Sequence, residues 1–190
     1  MVYNRTITFR HAWMVNAMPK FIPDNEQQVT DGVNLLISIL IRYPEITSIS
    51  FDPQTHILRQ NFMLSSIPSE TEFTKVRKTL LDSIAVYHTI EGINDKTIDI
   101  QLSMYDTVAM LHIVRDVRTL SKGEIALTIA LLKEHFRSSL IVETSEAFLE
   151  EELYLQDELI DNMLNNATRN SSGRRLVGIR EDGRVIVYNK

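Results

Sequence analysis

Apolar and polar positions follow two periods along this chain. Between Thr6 and Trp13 every second side chain (Ile7, Phe9, His11, Trp13) falls on one face, which predicts a first strand. From about Asn25 to Tyr43 the period becomes helical. Val29, Val33, Leu36 and Leu40 form the stripe, Asp24 is a candidate cap and Pro44 a stop. Leu35, Ile37, Ile39 and Ile41 make this helix apolar most of the way round, so it is expected to be well buried. Alternation returns over Thr47–Phe51. Asp52-Pro53-Gln54-Thr55 suits a type I turn, and His56–Leu64 reads as the return strand.

Ser69 and Glu72 have the spacing of a capping box. The helix they open carries Phe73, Val76, Leu80, Ile84 and Tyr87 on one side and stops at Gly92. Thr97–Leu102 alternates strictly, and Ser103–Asp106 is turn-like. Val108–Val114 is apolar except for His112, the pattern of a strand covered on both faces. A second capping box, Ser121 with Glu124, opens a helix to about Arg137 bearing Ile125, Ile129, Leu132 and Phe136. Leu140-Ile141-Val142 reads as a short strand. The order β, α, ββ, α, ββ, α, β suggests a pseudo-repeat of α-ββ units, although no residue identity links the copies.

Composition shifts after Glu143. Ser145–Ala167 predicts a long helix with Glu146, Glu150, Glu151, Glu152, Asp157, Glu158 and Asp161, but no Lys or Arg. Phe148, Leu149, Leu153, Leu155, Leu159, Ile160, Met163 and Leu164 form its apolar stripe. A polar linker follows, then Leu176–Ile179 and Arg184–Tyr188 around Asp182-Gly183, a strong hairpin signal. The expected fold is therefore α+β. Its core, residues 1–143, is a mostly antiparallel sheet of about six strands with three helices. An arm, residues 144–190, adds an acidic helix and a basic hairpin. The element order of residues 6–102 is similar to that of a ferredoxin-like fold, extended by a further ββαβ portion.

Composition narrows the function classes. With 190 residues and 44% hydrophobic content the chain can bury a sizeable core. The absence of cysteine excludes disulfides, thiolate chemistry and Cys-based metal sites, and fits a cytoplasmic chain. There is no apolar run of transmembrane length, so no membrane association is expected. Net charge −5 disfavours general attraction to polyanions. Glycine is scarce, at 6 residues, and no Gly-rich phosphate loop occurs, so no nucleotide cofactor is expected.

Candidate chemistry is sparse. No two histidines share a metal-binding helical spacing, and no metal is expected. Serine nucleophiles have neither a nucleophile elbow nor an evident base. Asp116 and Arg115 sit at the strand-to-helix junction after Val108–Val114, with His112 nearby; these three are the candidates for a catalytic site. The arm offers more. A lone hairpin is marginally stable in water and must pack on something. Phe148, Leu149, Leu153, Leu159, Ile160 and Met163, with Arg174, Arg175, Arg180 and Arg184, are the expected partner-binding residues. The leading expectation is a non-catalytic protein-interaction or self-assembly module acting through this arm, with a homo-oligomer formed by arm exchange as one form. The alternatives, in order, are a small-metabolite sensor dimerising in an ACT-like manner, nucleic-acid binding by the Arg-rich hairpin, and an enzyme near Arg115 and Asp116.

Overall fold

The computed structural model describes residues 5–6, 24–94, 97–143, 150–167, 173–181 and 184–190. It is α+β. The elements run β1 (Arg5–Thr6), α1 (Asp24–Arg42), β2 (Ser48–Asp52), β3 (Ile57–Leu64), α2 (Glu70–Glu91), β4 (Ile98–Tyr105), β5 (Val108–Asp116), α3 (Lys122–Phe136), α4 (Glu150–Ala167), β6 (Leu176–Glu181) and β7 (Arg184–Asn189). A single 3-10 turn, Arg137–Ser139, follows α3. One antiparallel sheet holds every described strand in the order β1-β7-β6-β2-β3-β5-β4; β1 has two residues and the other six have five to nine. Residues 7–13, expected to continue the first strand, lie outside the described residues.

Local signals in the sequence account for the element ends. The Ser69 side chain accepts the Glu72 N–H at 3.2 Å. At the far end of α2, Gly92 takes φ +68°, and the Ile93 N–H returns to the His88 carbonyl at 2.8 Å. This left-handed closure suits glycine because a Cβ would crowd the backbone there. Between β2 and β3 the Asp52 carboxylate accepts the Gln54 N–H at 3.0 Å, which fixes the turn.

Three differences from the sequence-based expectations have plain causes. Leu140–Val142 forms only one bridge, Leu64 to Leu140. On that side β3 is already paired with β2 as far as Asn61, so only its last residues are free. Ser103–Asp106 is not a turn: β4 continues to Tyr105, opposite Val108, and the turn shrinks to Asp106 and Thr107. And β5 is not covered on both faces. It lies between β3 and β4, and its burial alternates, so one face is sealed and the other half-buried.

The helices occupy one side of the sheet. Leu36 and Leu40 of α1 reach Ile49, Gly178 and their neighbours on that face. A Cβ on Gly178 would stand 3.0 Å from Leu40 and 3.2 Å from Ile49, so any larger residue would push these side chains aside by a few tenths of an ångström. From α2, Val76, Leu80 and Ile84, and from α3, Ile125, Ile129, Leu132 and Phe136, join the same core. The result is two layers around one apolar interior. The opposite face carries mostly half-buried side chains: Arg59, Asn61, Met63, Met110, His112 and Val114 among them.

The C-terminal elements belong to this layered core. β6 pairs with β2 from Leu176 opposite Phe51 to Ile179 opposite Ser48, and β7 pairs with β6. α4 packs along α1, with Ile160, Leu164 and Ala167 in the core. Its acidic residues are partly used: Asp157 accepts from Arg42 at 2.9 Å, and Asp161 pairs with Lys122 at 3.0 Å.

Candidate functional site

β5 ends in two charged residues that point to opposite faces, because successive strand side chains alternate. Arg115 lies between Leu58 and Ile98 on the helix-covered face. Its Nε and Nη2 donate to the Glu124 carboxylate at 2.5 and 3.0 Å, and another nitrogen donates to the Thr97 carbonyl. His88 Nε2 lies 2.8 Å from the same carboxylate. The same nitrogen lies 3.1 Å from Arg115 Nη2, so His88 touches both members of the ion pair. Arg115 and Glu124 are each 1% exposed. No substrate can reach a guanidinium so enclosed; the cluster joins β5, α2 and α3 as an internal brace. Glu124 thus departs from the capping-box pattern. Its N–H is capped by Ser121 at 3.2 Å, but its carboxylate turns into the core.

Asp116 is buried on the other face. It accepts the Arg118 backbone N–H at 2.9 Å and is gripped by the Arg118 guanidinium. These hydrogen bonds hold its carboxyl below the usual carboxylate range, against the opposing effect of burial. Arg115 and Asp116 therefore do not converge on one site.

His112 has the most developed surroundings of the three candidates. It sits on the face turned away from the helices, in a cross-sheet row with Gln101 on β4 and with Asn61 and Ser48 on β3 and β2. Asn61 Nδ2 donates to Ser48 Oγ at 2.8 Å. That orients the Asn61 Oδ1 toward His112 Nδ1, at 2.7 Å. Nδ1 must then be the protonated nitrogen, which leaves Nε2 of the neutral ring as an acceptor. Ser103 Oγ lies 2.9 Å from Nε2 and donates to it. Burial, and secondarily the nearby Arg59 charge, push the His112 pKa below 6.5. The ring is therefore neutral at pH 7, in the tautomer that can take a proton from Ser103.

Ser103 and Asn61 were not foreseen. The hairpin pattern held a signal for Ser103: a two-residue turn at Asp106-Thr107 sets Ser103 opposite Met110 and diagonal to His112. Asn61 needed the pairing of β3 with β5, which no local pattern announces.

Of the arm residues expected to bind a partner, Ile160 and Arg180 are buried within the chain. Ile160 is fully buried, while Leu159 and Met163 are half-buried. Arg180 is buried too; it donates to the Leu40 carbonyl in the last turn of α1, and its burial pushes the guanidinium below the ordinary arginine value. Arg174, Arg175 and Arg184 are exposed, and Arg175 reaches Ser50 Oγ at 3.3 Å. Buried Arg180 thus interrupts the basic stripe expected of the hairpin. Phe148 and Leu149 lie outside the described residues, as does the side chain of Leu153.

Among the described residues no group of His, Asp and Glu side chains is arranged to hold a metal ion, and no helix is long and apolar enough to cross a membrane. Compared with known protein families, curated proteins and solved structures, the chain matches none of them.

Proposed function

We propose that this chain is a self-assembly module and that its contact surface is the free edge of the sheet at β4, with the arm serving as part of the core that supports it. The observation that carries this reading is the state of that edge. Among the described residues β4 pairs with β5 on one side only, along an uninterrupted register from Ile98 to Tyr105. The Ile100 carbonyl accepts from Arg77 Nε at 3.2 Å and therefore faces away from β5. By the alternation of an antiparallel ladder, the backbone groups of Ile98, Ile100, Leu102 and Met104 all face outward. Edge strands in proteins that stay monomeric are normally blunted by lysine, proline, a bulge or a short length. β4 has none of these, and its only charged residue is Asp99. The opposite edge of the sheet is closed in part by β1.

The strand is also self-complementary. An antiparallel pairing about a two-fold axis through Gln101 sets Ile100 against Leu102 of the second copy, Ile98 against Met104 and Asp99 against Ser103. Every pair keeps its faces matched, and no like charges are opposed. Met104 and Tyr105, 64% and 56% exposed, extend the contact at its ends. Arg77 is displaced, and a backbone hydrogen bond replaces its own. The test is the mass of the full chain in solution by light scattering. The reading expects a dimer that Gln101→Lys, which opposes two charges on the axis, converts to a monomer with an unchanged circular dichroism spectrum. A monomeric parent, or a dimer indifferent to this substitution, removes it.

A further inference from the structure

The hydrogen-bonded row on the face turned away from the helices has a direction. Ser48 fixes the Asn61 amide, Asn61 fixes the His112 tautomer, and His112 Nε2 is left to accept the Ser103 proton. A nucleophile within hydrogen-bond reach of a base, which is in turn oriented by a third group, is the arrangement that activates a serine hydroxyl. All four side chains lie on the face that α1, α2 and α3 leave uncovered, and each is half-buried. The apolar Met110, directly opposite Ser103, and the Tyr105 ring two residues along β4 provide a flank for an acyl chain.

We infer that Ser103 is a nucleophilic site that takes an acyl group from an activated ester, with His112 as its general base and Asn61 as a positioning residue. The Ser103 Oγ forms a bond to the ester carbonyl carbon as its proton passes to His112 Nε2. The carbonyl electron pair moves onto oxygen, then returns as the bond to the leaving alkoxide breaks. A good leaving group such as a nitrophenolate departs as the anion, and His112 gives its proton to solvent. Hydrolysis reverses the roles: His112 takes a proton from water, the hydroxide adds to the acyl carbon, and Ser103 leaves and regains its proton. Ser103 stands within a regular strand, and not on a sharp turn that would aim backbone N–H groups at an oxyanion. The expected substrates are therefore activated esters with good leaving groups, not amides.

The experiment uses the full chain with p-nitrophenyl acetate and, separately, a fluorophosphonate probe. A stoichiometric burst of nitrophenolate is expected, with the acetyl or phosphonyl adduct located on Ser103 by peptide mass spectrometry. Ser103→Ala should abolish that adduct, and His112→Gln should slow its formation by about 100-fold or more. The pH dependence separates a working relay from a structural one. Acylation should rise with pH about a midpoint below the ordinary imidazole value of about 6.5. Asn61→Asp should move that midpoint upward, because a carboxylate beside Nδ1 favours the protonated ring. Absence of any adduct on folded protein overturns the inference. So does an adduct that Ser103→Ala leaves in place, or a midpoint that Asn61→Asp does not shift.

Discussion

Arg115 on β5 and Glu124 on α3 meet in a two-point ion pair, at 2.5 and 3.0 Å, with both side chains sealed from solvent. They stand nine positions apart in the chain, just enough for the strand to end, turn through Val117–Leu120 and begin a helix that folds back over the sheet. His88, from α2, completes the cluster. Three elements are thus held together by an ion pair and its hydrogen bonds inside an apolar layer.

A buried ion pair contributes little net stability, because desolvation offsets the attraction, but breaking one is expensive. Glu124→Gln keeps the shape and removes the charge, leaving Arg115 uncompensated. It should destabilise the fold by roughly 3–5 kcal/mol. Combining Glu124→Leu with Arg115→Met should be less damaging than either alone. Urea unfolding of the four proteins in a double-mutant cycle checks this, and a strictly additive pair of effects would contradict it.

His112 makes stability depend on pH. Its folded-state pKa lies below 6.5, mainly through burial, so the unfolded chain binds this proton more readily. The contribution is fully present above the unfolded value of about 6.5 and is lost as pH falls from there toward the folded value. His112→Gln should flatten the stability profile between pH 7 and pH 5. Denaturant midpoints across that range, for parent and variant, measure the difference in slope.

Removing residues 144–190 should unfold the remainder. Ile160, Leu164, Leu176, Val185 and Val187 are all buried in the shared core. Five such side chains, at ~1.5–3 kcal/mol each, rival the ~5–15 kcal/mol net stability of a whole domain. The truncated chain is expected to lose its cooperative thermal transition. A sharp melt near that of the full chain would show a core independent of its C-terminal elements.

The proposed dimer register has a signature beyond loss of mass. Gln101 opposes only itself in that register. Gln101→Lys and Gln101→Glu should each be monomeric, and an equimolar mixture should recover dimers, because unlike charges then meet on the axis. Native mass spectrometry would show the mixed dimer in excess over either homodimer. A statistical mixture would place Gln101 off the axis.

Periodicity found the long helices and the hairpin strands because those signals are local. Phe73, Val76, Leu80 and Ile84 declare a helical face whatever lies beneath it, and Ser69 and Gly92 mark its ends by hydrogen bonds within one turn. Asp182-Gly183 likewise marked the final hairpin. Besides the apolar run Leu140–Val142, which forms a single bridge, two local patterns misled. Ser103–Asp106 looked like a turn because serine and aspartate favour one, yet ladder pairing with β5 carried the strand through to Tyr105. The apolar run Val108–Val114 implied cover on both faces, whereas its second face is half-buried beside polar cross-strand neighbours such as Asp99, Gln101, Arg59 and Asn61. Of the site residues, His112 was visible as the one polar interruption of an apolar strand, but its partners were not.

What the sequence determined by itself is therefore the set of elements, the α+β class and which face of each helix is apolar, since these follow from side-chain spacing within a few residues. The tertiary structure decided strand order, and with it the joining of β6 to β2, the burial of Arg180 at the end of α1 and the meeting of Ser48, Asn61, His112 and Ser103 across four strands. Those relationships depend on which strand lies beside which. Many arrangements of the same elements bury similar apolar area, and the choice among them rests on packing and hydrogen bonds between residues far apart in the chain.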